Sequence, residues 1–314
     1  MATLTTTEGL IPNWFPPNRE NYERILFIWQ LFPLLASLQW LISWYGMGKT
    51  SVSSRLNIPG RIAWFTMEIP GFLTLLYHMR SLSTQLHKND PSYDGLPYQN
   101  KVLAALFVLH YAYRAVLYPF LQPSMSPIHV AVWGLGVYFQ LSNGLCLGSW
   151  LGAYGPTTQE EWSWTGARWS PAQFAIGLAV FYLGLAGNYY HDEELREIRR
   201  RAGRRAAAEA AKDASKNGGK PVTEKKKRDI AAKYYELPSA GMFKIVLYPH
   251  YFLEWVEWFG FWMAAGWGSV PARCFVVNEV FAMLPRAVRG RKWYAEKFGE
   301  EKVRNRWAVI PGVI

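Results

Sequence analysis

Residues 237–260 read LPSAGMFKIVLYPHYFLEWVEWFG. The second half is aromatic and apolar enough for lipid, yet it carries His250, Glu254 and Glu257. Spaced at i, i+4 and i+7, these side chains share one face of a helix. Ionisable groups at membrane depth are costly unless they meet a polar cavity or partners inside the protein, so this face is expected to line a site. Three roles fit such a face: hydrogen-bonded anchoring, metal binding, or the lining of a cofactor cavity. No HExxH motif and no further histidine cluster accompany it, so a usual zinc set is missing and no metal is assigned.

The rest of the chain supports the membrane reading. Half of the 314 residues are apolar, with 16 Trp, 18 Tyr and 17 Phe, yet the mean hydropathy of -0.06 would suit a soluble protein. The average hides segregation: residues 191–236 and 286–314 hold much of the Lys and Arg, and the stretches between are long and nearly uncharged. Spans of about 17 to 25 apolar residues are found at 24–46, 62–79, 101–121, 128–152, 170–190, 244–268 and 270–285, the last being short. The expected fold is an all-α integral membrane protein of about seven transmembrane helices, a single domain over 1–314. With the first helix starting on the lumenal side, Lys49, Arg55, Arg61, the 191–236 segment and the C-terminus fall in the cytosol, in accord with the positive-inside bias.

Met1 to Pro17 carries no removable targeting pattern, so the first helix is expected to act as its own insertion signal. The net charge of +11 does not point to nucleic acid, because the densest basic runs lie between membrane spans, where they set orientation and meet anionic lipid. Residues 201–233 read as a low-complexity cytosolic insertion, helical at its Ala-rich start and loose at Asn217-Gly218-Gly219 and Pro221. Cys146 and Cys274 both fall in spans and read as small buried hydrophobes.

Two nucleotide-like motifs do not survive inspection. Gly46-Met47-Gly48-Lys49-Thr50-Ser51 has Ser43 where a phosphate loop needs glycine, and Gly134-Leu135-Gly136 lacks the third glycine and sits inside a span. Asn188, Asp192, Arg196 and Arg199 close the fifth span, the last three stacked along one helical side. They form either an interfacial helix end with i,i+4 ion pairs or a phosphate-holding set, since guanidinium forks match phosphate oxygens. Glu68 is a lone carboxyl between Ile62 and Tyr77, with Pro70 close behind. It either packs around a proline kink or finds a partner, and Tyr111 is a candidate. His110 and Arg114 share an i,i+4 face from which Tyr111 points away.

In order along the chain stand Tyr45-Gly46, Trp64-Phe65-Thr66-Met67-Glu68-Ile69-Pro70, His110-Tyr111 with Arg114, Asn143-Gly144, Asn188 to Arg199, Tyr235 to Phe243 and His250 to Gly260. This succession resembles the steroid 5α-reductase family over most of the chain. The resemblance implies seven helices around a cofactor and substrate cavity in the endoplasmic reticulum membrane, and reduction of the C=C bond of an enone by NADPH. It implies that Glu68 and Tyr111 hydrogen-bond the carbonyl of an apolar steroid-like or isoprenoid substrate drawn from the bilayer. It also implies that Asn188, Asp192, Arg196, Arg199, Tyr235, His250, Glu254, Arg286 and Tyr294 hold the cofactor.

The chain departs from the family pattern in places. Glu236 follows Tyr235 where a basic residue is common, Ala240-Gly241 replaces paired glycines, and the 119–127 loop has no arginine. Gly290 stands where histidine is frequent. Within the family the rivals are reductases of enoyl-CoA or polyprenyl substrates. Outside that chemistry stand a membrane methyltransferase of the isoprenylcysteine carboxyl type, which would bind S-adenosylmethionine, and a non-catalytic lipid-binding scaffold.

Overall fold

The computed structural model describes residues 4–42, 44–48, 51–164, 170–217 and 235–314. Lys49, Thr50 and residues 218–233 of the expected insertion lie outside the described residues.

The chain is built of helices. Asn18 caps α1 (Arg19–Gln30), its side chain accepting from the Asn21 N–H, and Leu31 separates α1 from α2 (Phe32–Ser37). Next come α3 (Gly60–Leu86) and α4 (Tyr98–Tyr111), which runs through a wide π turn (Ala112–Leu117) into α5 (Tyr118–Leu121). Then follow α6 (Val130–Ser149), α7 (Gln159–Trp164) and α8 (Pro171–Asn217). The last helices are α9 (Pro249–Ala265), α10 (Val270–Phe298) and α11 (Glu300–Val303). Two residue pairs form a small antiparallel ribbon, with Asn57 opposite His129 and Ile58 opposite Ile128.

Helices at Tyr98–Leu121, Val130–Tyr154 and Pro171–Arg205 are long and apolar enough to cross a membrane. The other four expected spans are less clear-cut. Segment 24–46 is broken at Leu31, α9 is 17 residues long, and α3 and α10 are long helices diluted by Arg61, Glu68 and Arg80 or by Arg273, Glu279 and Arg286. Charged residues lower the average apolarity of α3 and α10, whether buried as Glu68 is or exposed as Arg80 and Arg273 are. Gly134-Leu135-Gly136 lies inside α6, and the Ala-rich start of the expected insertion continues α8 without a break to Asn217.

Helices α8 and α9 form the most extensive pairing, and α3 and α6 the next. The α8–α9 contact needs Gly184, where a Cβ would stand 2.3 Å from the Glu257 backbone nitrogen. This close approach brings the next turn of α8, with Asn188 and Asp192, against the polar face of α9. An aromatic core of Phe107, Phe181, Trp258 and Phe275 sits beside it, with the Trp258 and Phe275 ring centroids 4.2 Å apart. Cys146 and Cys274 are free, buried and in one apolar cluster. The C-terminal segment docks as a strand-like bridge: Leu247 N–H donates to the Trp307 carbonyl and Trp307 N–H to that of Ile245, both at 2.9 Å. It closes a second core of Leu247, Trp255, Met283, Ala287, Tyr294 and Val309.

Candidate active site

The site begins with a backbone irregularity. Pro119 has no N–H to offer the preceding turn, and the helix widens over Ala112–Leu117. In an i to i+5 pattern the Arg114 carbonyl would look to residue 119 and find proline. The Trp64 indole donates to that carbonyl instead, at 3.0 Å. Wide turns of this kind recur where a side chain must be aimed. Here the turn leaves Tyr111 beside Glu68 and carries Arg114 to Asp192 and Glu254.

Around Tyr111 lies a small buried cluster. Glu68, 8% exposed, accepts from the Gln140 amide, Nε2 to Oε2 at 2.5 Å. Tyr111, 2% exposed, neighbours Glu68 and interacts with the same amide. Glu68 therefore has a partner across the helix pair, and the proline kink is only its setting. Glu279 of α10 neighbours both Glu68 and Tyr111.

Around Arg114 is a network of charge. The Arg114 guanidinium stands 3.2 Å from Asp192 and 3.7 Å from Glu254, with all three side chains 12% exposed or less. Asn188 Nδ2 donates to Glu254 Oε2 at 3.1 Å and to the His250 carbonyl at 3.2 Å. His110 Nδ1 meets Glu257 Oε1 at 2.8 Å, and its Nε2 is 3.9 Å from Glu254. The working face of α9 is thus turned inward onto α4 and α8. Asp192 does not pair along its own helix with Arg196, as the i,i+4 spacing suggests. It reaches across to Arg114, and Arg196 meets it only through the Asp192 carbonyl at 3.5 Å.

Arg196, 1% exposed, binds the Tyr113 hydroxyl at 2.6 Å and Glu193 at 3.0 Å. Its Nη1 is buried and has no hydrogen-bond partner among the described residues. Arg199 neighbours Asp192 and Tyr294, and Tyr294 neighbours Tyr235. Burial pushes the Tyr294 phenol up to about 12, so it keeps its hydrogen at neutral pH. The Tyr235 ring lies edge-on to Trp293 at 4.9 Å. Arg286 lies over the rings of Tyr45 and Tyr251, at 5.1 and 5.6 Å, and neighbours Glu254 and Glu279. The expected residues thus form one continuous region from Glu68 and Tyr111, through Arg114 and Glu254, to Arg199 and Tyr294. Two surface cavities, one lined by Arg291, Arg304 and Trp307 and the other by His87, Asp90 and Glu161, are not part of it.

Comparison with known proteins identifies the family. A family model described as 3-oxo-5-alpha-steroid 4-dehydrogenase matches residues 220–314. An uncharacterized protein of Schizosaccharomyces pombe is 34% identical over 274 residues, 84% of this chain and 89% of its own. Steroid 5-alpha-reductase DET2 of Solanum lycopersicum is 28% identical over 303 residues, covering 94% of this chain and 96% of its own. Human 3-oxo-5-alpha-steroid 4-dehydrogenase 1 is 27% identical over 259 residues, 82% of each chain. The chain belongs to the steroid 5α-reductase family. It is an oxidoreductase acting on CH–CH bonds, and its apolar helices make it a membrane protein.

Two departures from the 5α-reductase pattern now have a physical reason. Of Ala240 and Gly241 only the second has positive φ, +52°, and the Met242 N–H beside it donates to His191 Nε2 at 3.0 Å. Alanine is therefore tolerated at 240 and glycine is kept at 241. A side chain at 290 would meet the Tyr248 hydroxyl, 1.7 Å from an added Cβ, so Tyr248 occupies the space a histidine would take. The loop without an arginine is held from outside: Arg61 donates to the carbonyls of Pro119 at 3.2 Å and Gln122 at 2.7 Å. Sequence reasoning passes over Gln140, Glu279 and the central place of Arg114. The available signal for Gln140 was an amide following a run of apolar residues from Val130 to Phe139.

Proposed function

We propose that this 5α-reductase family member uses NADPH to saturate the C=C bond of an α,β-unsaturated ketone of 3-oxo-Δ4 steroid type. The observation that carries the reading is the buried meeting of Glu68 and Tyr111 at the Gln140 side chain, next to the charge network around Arg114. Two hydroxyl-bearing groups at one apolar spot suit a single carbonyl oxygen.

The residues fit a dinucleotide. The buried Arg196 Nη1, without a partner among the described residues, is a donor waiting for an acceptor, and Arg199 and Arg286 add two more guanidinium groups. Asn188, Asp192, Arg196 and Arg199 would hold it from α8, with His250 and Glu254 from α9, Arg286 and Tyr294 from α10, and Tyr235 beside them. When bound, the reduced nicotinamide supplies hydride to the β-carbon. Tyr111 and Glu68 hydrogen-bond the carbonyl oxygen as negative charge grows there, and the enolate they stabilise takes its proton at the α-carbon. Donors placed where charge develops act most strongly in a dry site, and loss of one costs on the order of 100- to 1000-fold in turnover.

The bilayer supplies the apolar substrate, while the basic ends of α8 and α10 face the cytosol, the source of the polyanionic cofactor, in the endoplasmic reticulum. Methyl transfer from S-adenosylmethionine gives Glu68 and Tyr111 no common task, whereas the carbonyl of an enoyl-CoA or a polyprenyl enone would engage the same pair and is separated from a steroid by the substrate panel. The test is the loss of NADPH absorbance by detergent-purified protein with a panel of 3-oxo-Δ4 steroids, an enoyl-CoA and a polyprenyl enone. Steroid-dependent oxidation that disappears in Tyr111→Phe supports the reading. No oxidation with any acceptor and no NADPH binding by calorimetry would sink it.

A further inference from the structure

Gln140 is a polar side chain where α6 has every reason to be apolar. It is 6% exposed, and the helix before it, from Val130 to Phe139, is built of Val, Ala, Trp, Gly, Leu, Tyr and Phe, with Ser142 and the buried Asn143 following it. The neighbouring helix makes room for it: a Cβ on Gly71 would come within 2.2 Å of Gln140 Oε1. That oxygen is buried and has no hydrogen-bond partner among the described residues, whereas Nε2 donates to Glu68 Oε2. Tyr111 interacts with the same side chain. A buried amide that leaves its acceptor unused and turns its donor end to Glu68, with Tyr111 beside it, is held in one orientation for a reason other than its own satisfaction.

The geometry points to Gln140 as a positioning residue that sets the donor direction of both Glu68 and Tyr111. This assignment rests on the reductase reading above. An amide NH2 group has two hydrogens and a phenol has one. When the Tyr111 oxygen accepts from Gln140, its own hydrogen is left to point elsewhere. When Glu68 Oε2 accepts from Gln140, the proton of the neutral acid belongs on Oε1, away from the amide. Both hydrogens are then free for one substrate carbonyl. The reverse amide orientation would aim Oε1 at the pair and capture one of those hydrogens, disarming the site. The side chain therefore acts on substrate only through its two neighbours.

The test uses full-length protein with Gln140→Met, which keeps the length of the side chain and removes its donors. With a 3-oxo-Δ4 steroid, kcat should fall about 10- to 100-fold, the range for loss of an orienting partner, with KM, NADPH affinity and thermal stability near wild type. A second readout is independent of turnover. In protein loaded with NADP+, the infrared C=O stretch of an isotopically labelled 3-oxo steroid should lie closer to its position in apolar solvent in Gln140→Met than in wild type. A merely structural role would leave that frequency where it is. If Gln140→Met does not fold, Gln140→Asn carries the test: its amide is one methylene short of Glu68 and should show the same losses. Wild-type kcat and an unmoved carbonyl frequency in a folded variant overturn the assignment and leave the reductase reading standing. A wild-type protein that reduces no enone overturns the reductase reading itself, and the assignment with it.

Discussion

Arg114→Met should be among the most damaging single substitutions in the described chain. The guanidinium lies between Asp192 at 3.2 Å and Glu254 at 3.7 Å, with side-chain exposures of 12%, 5% and 6%. It also sits over the rings of Trp64 and Tyr118, at 5.0 and 4.8 Å. Methionine restores much of the volume but leaves two carboxylates without their cation in a place water does not reach. Breaking a buried pair in this way costs about 3–5 kcal/mol. At roughly 2–4 °C per kcal/mol for a chain somewhat smaller than this one, the loss is about 6–20 °C in Tm. Cys146 and Cys274 are free and buried, so a thiol-reactive fluorophore reports unfolding directly in detergent. Adding Asp192→Asn removes one orphaned charge and should recover part of the loss, a non-additivity expected of residues in one network. A drop of under about 2 °C in Arg114→Met, or no recovery in the double variant, would refute the reasoning that this network is held by its central cation.

Glu68→Gln and Tyr111→Phe should each lower kcat on a 3-oxo-Δ4 steroid by about 100- to 1000-fold while NADPH affinity by calorimetry stays within a few-fold; equal loss of cofactor binding would mean the pair acts on structure. Arg196→Leu should weaken NADPH about 10- to 100-fold, the scale of a lost charge-assisted hydrogen bond, and an unchanged calorimetric Kd would remove Arg196 from the cofactor set. Gly184→Val forces a Cβ to within 2.3 Å of the Glu257 backbone nitrogen, so α8 and α9 must part. It should cost about 1–3 kcal/mol and weaken NADPH binding together; stability lost without any change in affinity would show that the helix contact does not position the site.

The parts of this molecule legible in its sequence are those written in residue type and period. The apolar stretches behind α4, α6 and α8 are legible, and so is the polar face of α9, because 3.6-residue spacing fixes what shares a side. The stripe from Asn188 to Arg199 is legible as a stripe, but its partners are not. Spacing alone pairs Asp192 with Arg196, and only the Gly184 contact together with the Pro119 turn brings Arg114 from another helix to take Asp192 instead. Glu68 shows the same limit: a carboxyl between apolar residues announces a partner, and the partner sits 72 positions away on α6. The span count suffers from the opposite problem. Helices α3 and α10 carry enough charged residues, Arg61, Glu68 and Arg80 on one and Arg273, Glu279 and Arg286 on the other, that apolarity no longer marks them out.

The most direct test of the central claim is the mass of the product. Purified protein in detergent is given NADPH and a 3-oxo-Δ4 steroid, and the steroid is recovered for mass spectrometry. The account predicts a saturated ketone heavier by two hydrogens, one of which is deuterium when the nicotinamide is labelled at the transferring position, formed about 100- to 1000-fold more slowly with Tyr111→Phe. Recovery of unchanged steroid from protein that binds NADPH, or a product reduced at the carbonyl, would contradict it.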